Sequence, residues 1–294
     1  MEKCTICPRN CGAERESGKV GYCGVGSAFK VARAALHMWE EPCISGKNGS
    51  GTIFFSGCNL GCCYCQNVAI SRGQSGKTIS PARLLEIFFE LKAQGVHNIN
   101  LVTPSHYVPM LARVIEQAKT ENINIPFVYN CGGYESVETL KLLDGLIDVY
   151  MPDFKYWSNL LAMRYSNVKN YRETAQAAIE EMVRQRGECQ LDAEGMMTSG
   201  VLVRHLVLPG AYADAKKILG YLYKTYGHDI YISIMSQYTP IGTPKYAPLA
   251  ERISETAYTA ILEYAATIGI ENAFVQEGEA AKESFIPDFD NRGV

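Results

Sequence analysis

The sequence predicts an α/β fold: a partial (β/α)6-type barrel of parallel strands, preceded by a small Cys-rich metal-binding module. Three observations carry this. Short apolar runs alternate with amphipathic helical stretches along most of the chain, which implies parallel strands joined by helical crossovers. At 294 residues the chain suits one such barrel and is too short for several large domains. Its 11 cysteines are clustered, with four in the first 23 residues and four more between positions 58 and 65. Multidentate metal binding requires such clustering, because ligands on one short loop lose little chain entropy in closing around a metal.

The elements follow in order. Residues 1–50 are rich in Cys and Gly, hold one extended segment over 29–38, and read as a loop-rich module tied down by metal. The barrel is expected over 51–280 and a polar, extended tail over 281–294. Thr52-Ile53-Phe54-Phe55 is a short apolar run between turn residues, the signature of a buried strand. Ser80-Pro81 then opens a helix, with Ser as N-cap, Pro at the first helical position, and an apolar face of Leu84, Leu85, Ile87, Phe88 and Leu91. Further strands are expected over 98–103, 126–130, 148–154, 202–208, 231–237 and 272–276. Helices are expected over 107–120, 136–144, 171–186, 213–226 and 249–268. Six or seven such repeats favour a barrel, complete or partial, over an open sheet. Residues 185–200 hold no clear helix and read as a hairpin or a mobile insertion.

Composition narrows the function. Apolar residues are 47% and charged residues 20%, which excludes wholesale disorder. A formal net charge of -3 disfavours general nucleic-acid binding. No long uncharged apolar run suggests a membrane span, and Met1-Glu2-Lys3-Cys4 lacks an apolar signal core, so a cytoplasmic location is expected. In that compartment clustered cysteines point to metal or redox chemistry rather than disulfides.

Cys58, Cys62 and Cys65 form Cys-x3-Cys-x2-Cys, directly after the first barrel strand. Active groups of such barrels gather at the C-terminal strand ends. Three thiolates can hold three irons of a [4Fe-4S] cube, leaving the fourth iron open, and an open position is where a metal site does chemistry. The alternative is a zinc site that recruits Cys63 as fourth ligand. Cys4, Cys7, Cys11 and Cys23 supply four more thiolates, the full count for a closed zinc site or a second iron-sulfur cluster, structural or electron-relaying. Two glycine-rich stretches are decoys. Residues 73–78 imitate a phosphate loop but carry Ser71 where that loop needs its first Gly, and residues 24–29 lack the third Gly of a dinucleotide site.

The stretch from Ser56 to Asn67, with aromatic Tyr64 just before the third Cys, resembles the signature of the radical S-adenosylmethionine (radical SAM) superfamily. Cys7-Pro8-Arg9-Asn10-Cys11-Gly12 and the stretch Leu36 to Gly46, which contains Trp39-Glu40-Glu41-Pro42-Cys43, look like pyruvate formate-lyase activating enzyme-like proteins with an N-terminal cysteine motif. The similarity runs over most of the chain. It implies that the open iron is chelated by the amino and carboxylate groups of S-adenosylmethionine (SAM). An electron from the cluster then splits the sulfonium into methionine and a 5′-deoxyadenosyl radical, which takes hydrogen from a substrate.

The resemblance also implies cofactor contacts at the other strand ends. The family's second strand ends in a Gly-Gly-Glu type segment that holds the methionine amino group. Here that place reads Thr103-Pro104-Ser105, so Thr103, Ser105 or backbone carbonyls are expected to do that work, unless the stretch is a helix cap. Asn130 is expected at the ribose. Asp153 and Lys155 resemble the Asp-x-Lys of activating enzymes and, alternating with Phe154, face one side; the alternative is a mutual surface ion pair. Arg204 looks like the family's carboxylate-contacting Arg, and His205 points oppositely as a packing residue. Gln237 and Tyr238 are expected on the substrate side. The expected function is therefore radical SAM chemistry, with an electron donor such as flavodoxin or ferredoxin. The resemblance suggests a glycyl residue of a partner enzyme as the target, with a different peptide or a small molecule as the alternatives. The alternative is a non-catalytic iron-sulfur or zinc protein that relays electrons or docks a partner.

Overall fold

A computed structural model describes residues 3–276 and 286–294. The last residues of the expected barrel span, 277–280, and the start of the expected tail, 281–285, lie outside the described residues. The strands are β1 (Phe29–His37), β2 (Ser50–Phe55), β3 (Lys77–Ile79), β4 (Ile99–Val102), β5 (Phe127–Cys131), β6 (Val149–Pro152), β7 (Gln190–Leu191), β8 (Met197–Leu206), β9 (Tyr231–Met235) and β10 (Ala273–Val275). They form one sheet in the order β10-β9-β8-β6-β5-β4-β2-β1-β3, with β7 paired to β8. From β2 through β10 the path is parallel. β1 and β3 add on antiparallel, and no pairing among the described residues closes the sheet. The expected partial barrel is therefore what forms.

The sequence explains the layering. β2, β4, β5 and β6 are buried at every position, which is why they read as unbroken apolar runs instead of alternating ones. The helices are α1 (Pro42–Ser45), α2 (Val68–Ser71), α3 (Pro81–Ala93), α4 (Val108–Thr120), α5 (Val137–Leu140), α6 (Asn159–Ser166), α7 (Tyr171–Arg186), α8 (Tyr212–Tyr226) and α9 (Glu255–Thr267). α3 to α9 pack on the outer face, whereas Cys43 and Ile44 of α1 cluster with Val128, Val149, Met151 and Leu202, and Ile70 of α2 with Phe54 and Val102, on the other face. The Ser80 side chain caps α3 by accepting from Arg83 N–H, and the five apolar residues expected to face inward are all buried.

Four local differences have physical causes. The extended segment 29–38 does not stay in a separate loop region: β1 pairs with β2, from Val31 opposite Phe55 to His37 opposite Ser50. Residues 185–200 form the hairpin alternative, where β7 folds back on the first residues of β8. α6 was not anticipated, being eight residues long with a weak pattern, although Ser158 caps it by accepting from Leu161 N–H. The helix expected over 249–268 begins only at Glu255, where Ser254 provides the cap. The tail residues 286–294 lie on β1, with Asn291 N–H donating to Ala32 O at 3.0 Å and Ala34 N–H to Arg292 O at 2.9 Å, but they are not extended throughout: 292–293 form a turn after Asn291 at φ +62°.

Just past β5, Glu135 is buried. It accepts from Ser105 Oγ at 2.6 Å and from Tyr129 OH at 3.0 Å. Burial pushes its carboxyl up from the ordinary 4.5 to about 7, although these hydrogen bonds pull the other way. The stability contributed by the neutral acid is complete below about 4.5 and is lost as pH rises through about 7. Across that window wild type should lose up to ~3 kcal/mol on this account, and Glu135→Gln should lack this contribution and show a correspondingly shallower slope. Melting curves taken across the window test this, and equal slopes for the two proteins would refute it.

Candidate functional site

Because the strands run parallel, their C-terminal ends deliver polar side chains to one mouth. Cys58, Cys62 and Cys65 line the cavity there, together with Tyr64, Thr103, Asn130, Asp153, Lys155 and Arg204. These residues, expected at the cofactor from the sequence, are thus brought together, Ser105 excepted, and the cysteine loop folds as its glycines require. Gly61 has φ +67°, and a β-carbon there would collide with the Arg72 guanidinium. Leu60 N–H donates to Cys58 Sγ at 3.4 Å, and Ser166 Oγ–H donates to Cys62 Sγ at 2.9 Å. Cys63 is exposed and absent from the cavity wall, and its N–H donates to Tyr165 O at 2.8 Å. Among the described residues, no three His, Cys, Asp or Glu side chains converge on a single-ion position. Burial pushes the Cys58 thiol up, and the Cys65 thiol up to about 12. Free thiolates are disfavoured here, so metal binding is the step that would ionise them.

The same cavity is lined by a network of buried charges centred on Arg204. An isolated bridge between Asp153 and Arg204 continues the β6–β8 pairing, aligning the two side chains. Arg204 Nε donates to Asp153 Oδ1 at 3.0 Å, Nη2 to Asn130 Oδ1 at 2.7 Å, and Nη1 to Glu40 Oε2 at 3.2 Å. Lys155 Nζ donates to Asp153 Oδ2 at 2.5 Å. The ion pair considered from the sequence exists, but within the cavity, with side chains only 17% and 15% exposed. Burial pushes the Asp153 carboxyl up, yet Lys155 and Arg204 outweigh it and hold the group below its ordinary range. Glu40 and Glu41 stay raised, because burial exceeds what Arg204 gives back.

Other expectations resolve individually. Thr103 lines the cavity in left-handed backbone, φ +57°. Ser105 does not serve there, since it is buried against Glu135. His205 is a buried packing residue whose Nδ1–H donates to Phe154 O at 2.7 Å. Gln237 and Tyr238 line the cavity. Sequence reasoning gave no role to Glu40, which also accepts from Asn100 Nδ2 at 3.1 Å. It arrives from the turn after β1, and β1 ends beside the start of β2, with His37 opposite Ser50. Glu40 therefore enters from the pole opposite the strand C-termini. The only available signal was its place in the Trp39-Glu40-Glu41-Pro42 stretch.

Cys4, Cys7, Cys11 and Cys23 are neighbours. A β-carbon on Gly21 would lie 3.2 Å from Cys11 Sγ and 3.5 Å from Cys23 Sγ, and Cys4 makes a side-chain hydrogen bond with Cys11. Burial pushes the Cys7 thiol up to about 12, with Cys23 and Cys4 adding to the shift.

A cysteine-bearing loop at the mouth of an unclosed parallel barrel defines a class, and the chain belongs to it: the Radical SAM superfamily, whose model matches residues 52–191. Within that class it is 30% identical over 249 residues to uncharacterized protein MJ0674 of Methanocaldococcus jannaschii, covering 82% of this chain and 67% of the relative. Two solved structures share the fold. Streptococcus suis SuiB bound to S-adenosylmethionine superposes with a TM-score of 0.51 at 11% identity, over 76% of this chain and 49% of SuiB. HydG, a maturase of the [FeFe]-hydrogenase, superposes with a TM-score of 0.52 at 14% identity, over 80% of this chain and 54% of HydG. The chain thus spans about half the length of these two proteins. Superfamily membership implies a [4Fe-4S] cluster and SAM.

Arg204→Met should destabilise the protein by about 3–5 kcal/mol, because Asp153, Glu40 and Glu41 would lose their shared cation while still buried. Denaturant unfolding reads this directly, and a loss below ~1 kcal/mol would show that the network does not depend on the guanidinium.

Proposed function

We propose that this chain reductively cleaves SAM at a [4Fe-4S] cluster held by Cys58, Cys62 and Cys65. The observation that carries this reading is that three thiols from one loop and the Arg204 charge network line a single cavity. The donor set fits the cluster. Thiolates are the ligands of iron-sulfur cubes, three of them leave one corner open, and Cys63 is not on the cavity wall. Such a cluster supplies a low-potential electron that splits the sulfonium into methionine and a 5′-deoxyadenosyl radical, which abstracts hydrogen from the substrate.

The chain's own residues bind and orient. Lys155 and Arg204 offer cations to the methionine carboxylate. Asp153 holds both cations in place, and Asn130, Tyr64 and Thr103 provide polar contacts along the wall. Glu40 takes the part of the carboxylate missing after β4 and binds the methionine ammonium. Charge supports this assignment. Asp153, Glu40 and Glu41 face Lys155 and Arg204, and although burial holds Glu40 and Glu41 raised, a bound cation would favour their ionised forms and bring the site to an excess of one negative charge. SAM, with a sulfonium, an ammonium and a carboxylate, carries one net positive charge.

The remaining assignments extend this reading. Residues 1–50 hold zinc or a second iron-sulfur cluster through Cys4, Cys7, Cys11 and Cys23. The electron comes from a flavodoxin or ferredoxin. The hydrogen donor is a protein or peptide, in the manner of pyruvate formate-lyase activating enzymes, whose target is a glycyl residue. None of the described helices is long and apolar enough to cross a membrane, which is compatible with work in the cytoplasm.

Anaerobically reconstituted protein given dithionite and SAM should release 5′-deoxyadenosine, measured by mass spectrometry. Cys58→Ala, Cys62→Ala and Cys65→Ala should each abolish release, and Cys63→Ala should retain it. Equal loss in Cys63→Ala would favour a four-thiol site instead. Glu40→Gln should weaken SAM binding about tenfold or more, from loss of one charge-assisted contact. The same variant should bind 5′-methylthioadenosine, which has no ammonium, as wild type does. Unchanged SAM affinity would remove Glu40 from the site.

A further inference from the structure

We propose that Ser166 sets the reduction potential of the cluster through Cys62, and that Arg9 holds Ser166 in place. This rests on the cluster assignment made above and assigns positioning residues that the cysteine motif does not contain.

Ser166 is the last residue of α6, 1% exposed. Its hydroxyl lies 2.9 Å from Cys62 Sγ and 2.6 Å from Tyr156 OH, and Tyr156 OH lies 2.8 Å from Tyr64 OH. Each of these hydroxyls has one proton to give. A cluster-bound Cys62 sulfur has none and can only accept. The direction of the chain then follows. Ser166 donates to the sulfur, Tyr156 donates to Ser166, and the Tyr156–Tyr64 bond, which Tyr156 donates in this structure, turns over so that Tyr64 donates. Hydrogen bonds aligned head to tail polarise one another, and both phenols are buried at 1% and 8% exposure, away from competing water. A donor aimed at a cluster sulfur favours the reduced state, which carries the extra electron, so it raises the potential.

The position of Ser166 is itself held. One guanidinium spans two segments: Arg9 Nε donates to Asn59 O at 2.7 Å and Nη2 to Leu60 O at 3.1 Å, while Nη2 also reaches Ser166 O at 2.9 Å and Nη1 reaches Asn167 O at 2.6 Å. The cysteine loop and the end of α6 are thereby clamped together. Arg9 lies between Cys7 and Cys11, with its guanidinium 3.8 Å over the Tyr22 ring. The fold of the N-terminal thiol group thus reaches a ligand of the other cluster in two steps, from Arg9 to Ser166 and from Ser166 to Cys62.

The test is a redox titration of the reconstituted, SAM-free protein, followed by electron paramagnetic resonance. Ser166→Ala should lower the potential, cutting the ratio of reduced to oxidised cluster at a fixed poise by roughly threefold to tenfold, where tenfold is ~59 mV for one electron. Tyr156→Phe and Arg9→Met should shift it the same way by less, and Ser166→Thr, which keeps the hydroxyl, should titrate as wild type. If Ser166→Ala fails to take up iron, Tyr156→Phe and Arg9→Met still decide the matter. Iron-replete variants that titrate with the wild type overturn the inference, as does a Ser166→Thr protein that behaves like Ser166→Ala. A wild-type protein that never assembles a four-iron cluster would overturn the functional reading itself, a result distinguishable from these.

Discussion

Burying charge is costly unless each charge finds a partner, and the mouth of this barrel is organised around that constraint. Arg204 is the hub. Its guanidinium joins four segments distant in sequence: its own β8, Asp153 after β6, Asn130 of β5 and Glu40 from the turn after β1. The contacts to Asp153 and Asn130 follow from parallel strands whose C-terminal ends meet, whereas Glu40 reaches the guanidinium from the opposite pole. The network therefore ties both poles of the sheet together. It also makes the cavity that the thiols line polar.

Much of the fold was legible because buried parallel strands leave an unmistakable trace. Phe127-Val128-Tyr129 and Val149-Tyr150-Met151 have no polar alternation, since both of their faces are covered. α3 was legible from one N-cap and five apolar positions. The cysteine loop was legible from spacing, and Asp153, Lys155 and Arg204 from the period-two geometry of strands combined with family resemblance.

What escaped was set by long-range packing. β1 looks like a lone extended segment until β2 is placed beside it. Glu40 belongs to no strand end, so reasoning from strand ends could not find it. Only the reversed direction of β1 carries that turn to the far pole of the sheet and lets Glu40 reach Arg204. α6 is too short to show periodicity, and the value of its last residue depends on Cys62, 104 positions away. Arg9 escapes for the same reason, since its contacts are carbonyls of two other segments, at Asn59 and Leu60 and at Ser166 and Asn167.

The tail on β1 has a consequence for how the molecule meets its neighbours. β3 covers only Phe29 to Val31 of β1, so the next stretch would present bare amide and carbonyl groups, the kind of border along which chains stack into aggregates. Asn291 and Arg292 occupy that border, Phe289 seals it against Phe54 with ring centroids 5.4 Å apart, and Ile286 and Pro287 reach the cavity rim. The same few residues thus guard the molecule against sticking to its own kind and trim the doorway to its interior, so a change made for solubility there would also be felt at the entrance.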